Sequence, residues 1–77
     1  MKLQIWKEQH RSVCYTLTDS DVTNYFTDVN EFREVVRKID DQESVTSQEQ
    51  AKYNNLVSSL TADYDDTNAR ERPVIFD

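Results

Sequence analysis

The chain has 77 residues, fifteen acids against nine bases for a net charge of -6, and a hydrophobic content of 36%. At this length one domain with a thin core is expected, and the eight aromatic residues argue against a disordered chain. No apolar run approaches the ~20 residues of a membrane span, the alternating start is not a signal-peptide core, and the negative charge disfavours direct nucleic-acid or anionic-membrane binding.

Residues 2–7 alternate, with Leu3 and Ile5 on one face and Lys2, Gln4 and Trp6 on the other, and residues 12–18 repeat the pattern with Val13, Tyr15 and Leu17. Two antiparallel strands follow, joined by a loop at Glu8-Gln9-His10-Arg11. Asp19-Ser20-Asp21 breaks the second strand, and residues 22–26 fit either a helical turn or an irregular connection carrying Tyr25 and Phe26 to the core.

Asp28, with Glu31 three residues later, reads as a helix start, and Val29, Phe32, Val35, Val36 and Ile39 recur at helical spacing, so a helix is expected over 29–40. The acids of Asp40-Asp41-Gln42-Glu43 oppose the dipole at a helix C-terminus and mark a loop. Thr46-Ser47-Gln48-Glu49 matches the capping box, and Ala51, Tyr53, Leu56, Val57, Leu60 and Tyr64 extend the second helix over 47–64. Pro73 disfavours helix at Arg72, and Val74, Ile75 and Phe76 have strand character, giving a third strand over 73–76 in place of a frayed tail. The expected fold is α+β: a small antiparallel sheet packed against two antiparallel helices.

Chemical sites are hard to build from these residues. His10 and Cys14, the only pair suited to a nucleophile and its base, stand roughly 10 to 13 Å apart along a strand. Asp19-Ser20-Asp21 and Asp63-Tyr64-Asp65 open like calcium loops, but Asn24 and Asn68 occupy the glycine position and no closing Glu follows. One His and one Cys cannot make a zinc site, and the absence of glycine removes phosphate-cradling loops. No catalytic residue, cofactor or metal is expected, and the chain reads as a non-enzyme. The single cysteine suits the cytoplasm, or a host's cytoplasm if a phage encodes the chain, a source in keeping with the AT-rich coding implied by 20 residues of Phe, Tyr, Met, Ile, Asn and Lys against 9 of Gly, Ala, Arg and Pro.

Charge is the informative feature. Residues 19–69 carry twelve acids against four bases, whereas residues 1–18 carry one against three. Glu31, Glu34, Asp40, Asp41, Glu43, Glu49, Asp63, Asp65 and Asp66, with Tyr53, Tyr64 or Trp6 as aromatic anchors, are the expected partner-binding residues. On helical geometry the clusters 40–43 and 63–66 would lie at opposite ends of the helix pair, roughly 25 Å apart.

The expectation is an inhibitor of the phage or mobile-element type that binds the basic surface of a host nuclease, defence effector or other nucleic-acid enzyme, imitating phosphates. A solvated, merely solubilising face is its bland counterpart. The other roles weighed are a homodimeric adaptor and an antitoxin-like neutraliser of a basic protein.

Overall fold

The computed structural model describes residues 1–8, 11–66 and 74–76. The elements run β1 (Lys2–Glu8), β2 (Arg11–Thr16), α1 (Asp19–Thr23), α2 (Val29–Asp40), α3 (Ser47–Ser59), β3 (Ala62–Asp66) and β4 (Val74–Phe76). The strands form one antiparallel sheet in the order β3-β2-β1-β4. The α+β fold expected from the sequence is therefore observed.

Register explains why the sheet holds. Leu3 pairs with Tyr15 on one side and Ile75 on the other, and Ile5 pairs with Val13, so one face carries a continuous apolar row. Phe32, Val35, Val36, Tyr53 and Leu56 from α2 and α3 join that row in one core. Each large side chain taken from water in this way contributes roughly 1.5 to 3 kcal/mol before chain entropy is counted. The opposite face carries Ser12 and Cys14, which are also buried, and the Gln4 amide donates to the Ser12 hydroxyl at 2.7 Å.

Side-chain caps set the helix starts. The Thr46 hydroxyl accepts from the Glu49 amide at 3.1 Å while the Glu49 carboxylate accepts from the Thr46 amide at 2.9 Å, completing the expected box. Asp28 caps α2 by accepting from the Glu31 amide at 2.8 Å. The same chemistry occurs at Thr18 and Asp21, where residues 18–21 form a capping box and Asp19–Thr23 becomes a short helix with Val22 fully buried. The alternatives left open for residues 22–26 resolve into the end of this turn, with the Phe26 ring tilted against Phe32 at 5.4 Å between ring centroids.

The first two strands reach one residue further into the expected loop than predicted, Glu8 pairing with Arg11, and two later boundaries also differ from expectation. The second strand stops at Thr16, because Thr18 turns to cap α1. More consequentially, the helix expected over 47–64 ends at Ser59, with Leu60 already extended at φ -89° and ψ 150°. The Ser59 hydroxyl donates to the Leu56 carbonyl at 2.7 Å, occupying an acceptor of the last turn. Continuing the helix would have placed Asp63 at its negative end with no basic residue in the last turn. Residues 62–66 instead pair with the open side of β2. The C-terminal strand expected over 73–76 is present as Val74–Phe76 beside β1; Pro73 lies outside the described residues.

Candidate partner interface

The acidic residues singled out from the sequence fall into three separate settings. The first is the α2–α3 connection. Arg37 reaches Glu34 with both Nη2 (2.6 Å to Oε1) and Nε (3.3 Å to Oε2), and its Nη1 donates to Asp41 Oδ2 and Glu43 Oε2 at 2.9 Å each. Three carboxylates thus share one guanidinium, leaving a local balance of -2, and all four side chains are about half exposed. Glu34 holds its proton less tightly than an ordinary glutamate, first because Arg37 donates to it, and Arg37 is held protonated beyond its usual range by Glu34 and Glu43.

The backbone brings this cluster together. The Gln42 amide donates to the Ile39 carbonyl at 3.1 Å and the Glu43 amide to the Lys38 carbonyl at 2.7 Å, the paired closure of a Schellman turn. Gln42 takes the left-handed position at φ 60°, which glycine usually fills and which this glycine-free chain gives to a larger residue. The turn folds Glu43 back beside Arg37 and Asp41.

The second setting is the seam between the helices. Lys52 of α3 bonds Glu31 of α2 at 2.9 Å, and Lys38 near the end of α2 meets Glu49 near the start of α3 at 3.6 Å. The crossed order of these pairs reports the antiparallel sense of the helices. Each pair is locally neutral, so Glu31 and Glu49 hold the helices together and do not add to an outward negative field. Lys52 donating to Glu31 lowers the Glu31 pKa, and the Thr46 amide does the same for Glu49. Asp40 is partly buried at the end of α2.

The third setting is the sheet edge. Residues 63–66 are not the acidic end of a helix, so the roughly 25 Å separation expected for two clusters on one helix pair does not apply. Asp63 is the extra residue of a bulge between the pairs Cys14–Tyr64 and Tyr15–Ala62. It accepts a hydrogen bond from the Thr16 hydroxyl, and Lys2 Nζ lies 3.9 Å away. Asp65 pairs with Val13 and Asp66 with Ser12 along the strand backbone.

The aromatic anchors fare differently. Tyr53 is 7% exposed and belongs to the core beside Tyr15, so it is not an anchor at the surface. Burial, with a smaller effect from Tyr15, pushes its phenol pKa well up, and its hydroxyl has no hydrogen-bond partner among the described residues. Trp6 is half-buried, and its indole N–H likewise meets no partner among the described residues. Tyr64 sits opposite Cys14 on β3.

Cys14 is 1% exposed, and His10 lies outside the described residues, as do Asn68, Arg70 and Arg72. Asp21, in the first of the calcium-loop-like stretches, is committed to the Thr18 amide. Among the described residues no group of three or more His, Cys, Asp or Glu is placed to hold a metal ion, and no helix is long and apolar enough to cross a membrane.

The structure therefore unites Glu34, Asp41 and Glu43 and separates them from Glu31, Glu49, Tyr53 and residues 63–66. The residue missed by sequence reasoning is Arg37, the centre of the cluster. Its spacing from Glu34 (i,i+3) and Asp41 (i,i+4) on one helical face was the available signal. Comparison of the chain with protein-family models, with curated proteins and with solved structures finds no match.

Proposed function

We propose that this chain is a small non-enzymatic inhibitor, of the type phages and mobile elements encode, that binds a basic protein surface in the host cytoplasm. Its target is a nuclease, defence effector or other nucleic-acid enzyme, and its carboxylates occupy positions that the target uses for phosphates. The observation that carries this reading is the Glu34–Asp41–Glu43 cluster. Three exposed carboxylates share one guanidinium, an excess of two negative charges within these four side chains, where α2 runs into a turn held by a Schellman closure. Ionised groups already arranged in the free protein bind cations with little further ordering cost.

The other two roles have weaker support. An antitoxin-like neutraliser would add an extended tail to its target, and Val74–Phe76, the segment suited to that, is paired with β1. A homodimeric adaptor pairing through the outer side of β3, which no described residue pairs, would bring aspartates opposite one another.

The test is capture from a bacterial lysate on immobilised protein at about 0.1 M and about 1 M salt, between which the Debye length falls from about 10 Å to about 3 Å. A nucleic-acid enzyme retained at low salt, lost at high salt and displaced by duplex DNA is the expected outcome. Retention at high salt, or capture unaffected when Glu34, Asp41 and Glu43 are all changed to Lys, would sink the proposal.

A further inference from the structure

Lys2, Thr16 and Asp63 lie side by side at one end of the sheet, on the three neighbouring strands β1, β2 and β3. Lys2 pairs with Thr16 in register, and its Nζ donates to the Thr16 hydroxyl at 3.0 Å. That hydroxyl donates onward to Asp63 Oδ2, and Lys2 Nζ lies 3.9 Å from the same oxygen. One run of contacts thus ties three strands together.

Asp63 is also the residue that breaks the register of β3. Cys14 faces Tyr64 and Tyr15 faces Ala62, so Asp63 between them has no residue opposite it on β2. Regular pairing would set Asp63 opposite Tyr15, and residues directly opposite one another share a face of the sheet. Tyr15 belongs to the core beneath the helices, so a carboxylate set beside it would be drawn out of water toward apolar side chains. In the structure that carboxylate instead reaches Thr16 and Lys2, on the face that Lys2 shares with Gln4, and its side chain stays 37% exposed.

We infer that Lys2, Thr16 and Asp63 form a register lock. The Asp63 carboxylate, held on the face away from the helices by Thr16 and Lys2, keeps the bulge in β3 and so sets where the chain leaves α3. Closing the bulge would move Ala62 from Tyr15 to Thr16, about 3.3 Å along the strand. That shift pulls on Leu60, which ends α3 and packs partly buried against the core. The lock therefore couples an exposed corner of the sheet to the last turn of α3. It shares no residue with the α2–α3 turn and stands or falls apart from the proposed function.

The experiment follows the register by cross-strand backbone NOEs in the full chain. In the wild type, Tyr15 is expected to face Ala62. Asp63→Val removes the carboxylate and supplies a β-branched side chain suited to an aromatic neighbour. Its bulge should close, with residue 63 opposite Tyr15 and the Leu60 methyl shifts displaced. Asp63→Asn keeps an acceptor for the Thr16 hydroxyl and should keep the bulge. Thr16→Val with Lys2→Met leaves the carboxylate in place without either partner. The amides of residues 62–64 should then exchange about threefold or more faster, with exchange in α2 unchanged.

A bulge retained in Asp63→Val, a bulge lost in Asp63→Asn, or unchanged exchange in the Thr16 and Lys2 double variant would each overturn the inference. Should Asp63→Val fail to fold, the double variant decides it.

Discussion

The Glu43 amide donates to the Lys38 carbonyl at 2.7 Å across Gln42, whose φ of 60° is the left-handed value recorded for a residue of this chain. A side chain at that position crowds its own backbone, a cost of roughly 1 kcal/mol that glycine avoids. Gln42→Gly is therefore expected to stabilise the fold by about 0.5 kcal/mol, part of the gain being offset by the greater freedom of the unfolded chain. The urea midpoint should rise with an unchanged m value. Gln42→Val, β-branched at the same position, should lower it.

Tyr53 gives a second test, because its hydroxyl is buried and has no partner among the described residues. An unsatisfied buried polar group costs about 1 to 3 kcal/mol, so Tyr53→Phe should leave stability at neutral pH unchanged or raise it by up to ~1 kcal/mol. The folded-state phenol pKa is raised above the ordinary value of 10.0. Above that pH the unfolded chain releases its proton first, so the wild-type protein loses stability as pH rises past about 10. Thermal unfolding across that range should show a shallower alkaline loss in the phenylalanine variant.

At the acid end the sign reverses. Glu31, Glu34 and Glu49 have folded-state pKa values below the ordinary 4.5, held down chiefly by Lys52, Arg37 and the Thr46 amide respectively. Their contributions are complete above that value and disappear as pH falls through the lowered folded-state values. All three are solvated, so the loss per residue is small. Glu49→Gln retains an acceptor for the Thr46 amide but no titrating charge, and its denaturant midpoint should fall less steeply below about pH 4.5 than that of the wild type.

Arg37 separates stability from binding. Its side chain is 48% exposed, and removing an exposed ion-pair partner changes stability little. Arg37→Gln leaves Glu34, Asp41 and Glu43 without their shared cation, so a basic partner meets more charge and displaces no internal counter-ion. Calorimetric titration with the captured partner should show affinity raised by about threefold to tenfold at low salt, with the difference vanishing near 1 M salt. Reduced affinity would mean that Arg37 orders the carboxylates more than it neutralises them.

Cys14, 1% exposed on the sheet face opposite the helices, should resist thiol reagents in the native state and react at the unfolded-chain rate in denaturant. Rapid labelling of the folded protein would show that this face opens locally. Labelling that tracks global unfolding would place Cys14 in the most stable part of the sheet.

Much of this architecture was legible in the residues because local physics decides it. The alternation of Leu3 and Ile5, the helical recurrence of Phe32, Val35 and Val36, and the Thr46–Glu49 box each act within a few residues, and the corresponding elements start where they were expected. The short helix at Asp19–Thr23 was legible in principle too, but an aspartate in place of the usual glutamate at the third position concealed its capping box.

The fate of residues 60–66 was not local. Tyr64 continues the helical spacing of α3, yet the outer edge of β2 carries the backbone of Ser12, Val13 and Cys14, all buried, and buried backbone groups require partners. The chain supplies them by ending α3 at Ser59 and returning as β3. Tertiary structure alone also divided the acids. Their number and sign were set by the sequence, but whether a carboxylate locks two helices, as Glu31 does with Lys52, or faces outward around Arg37, depends on which cation the packing brings within reach.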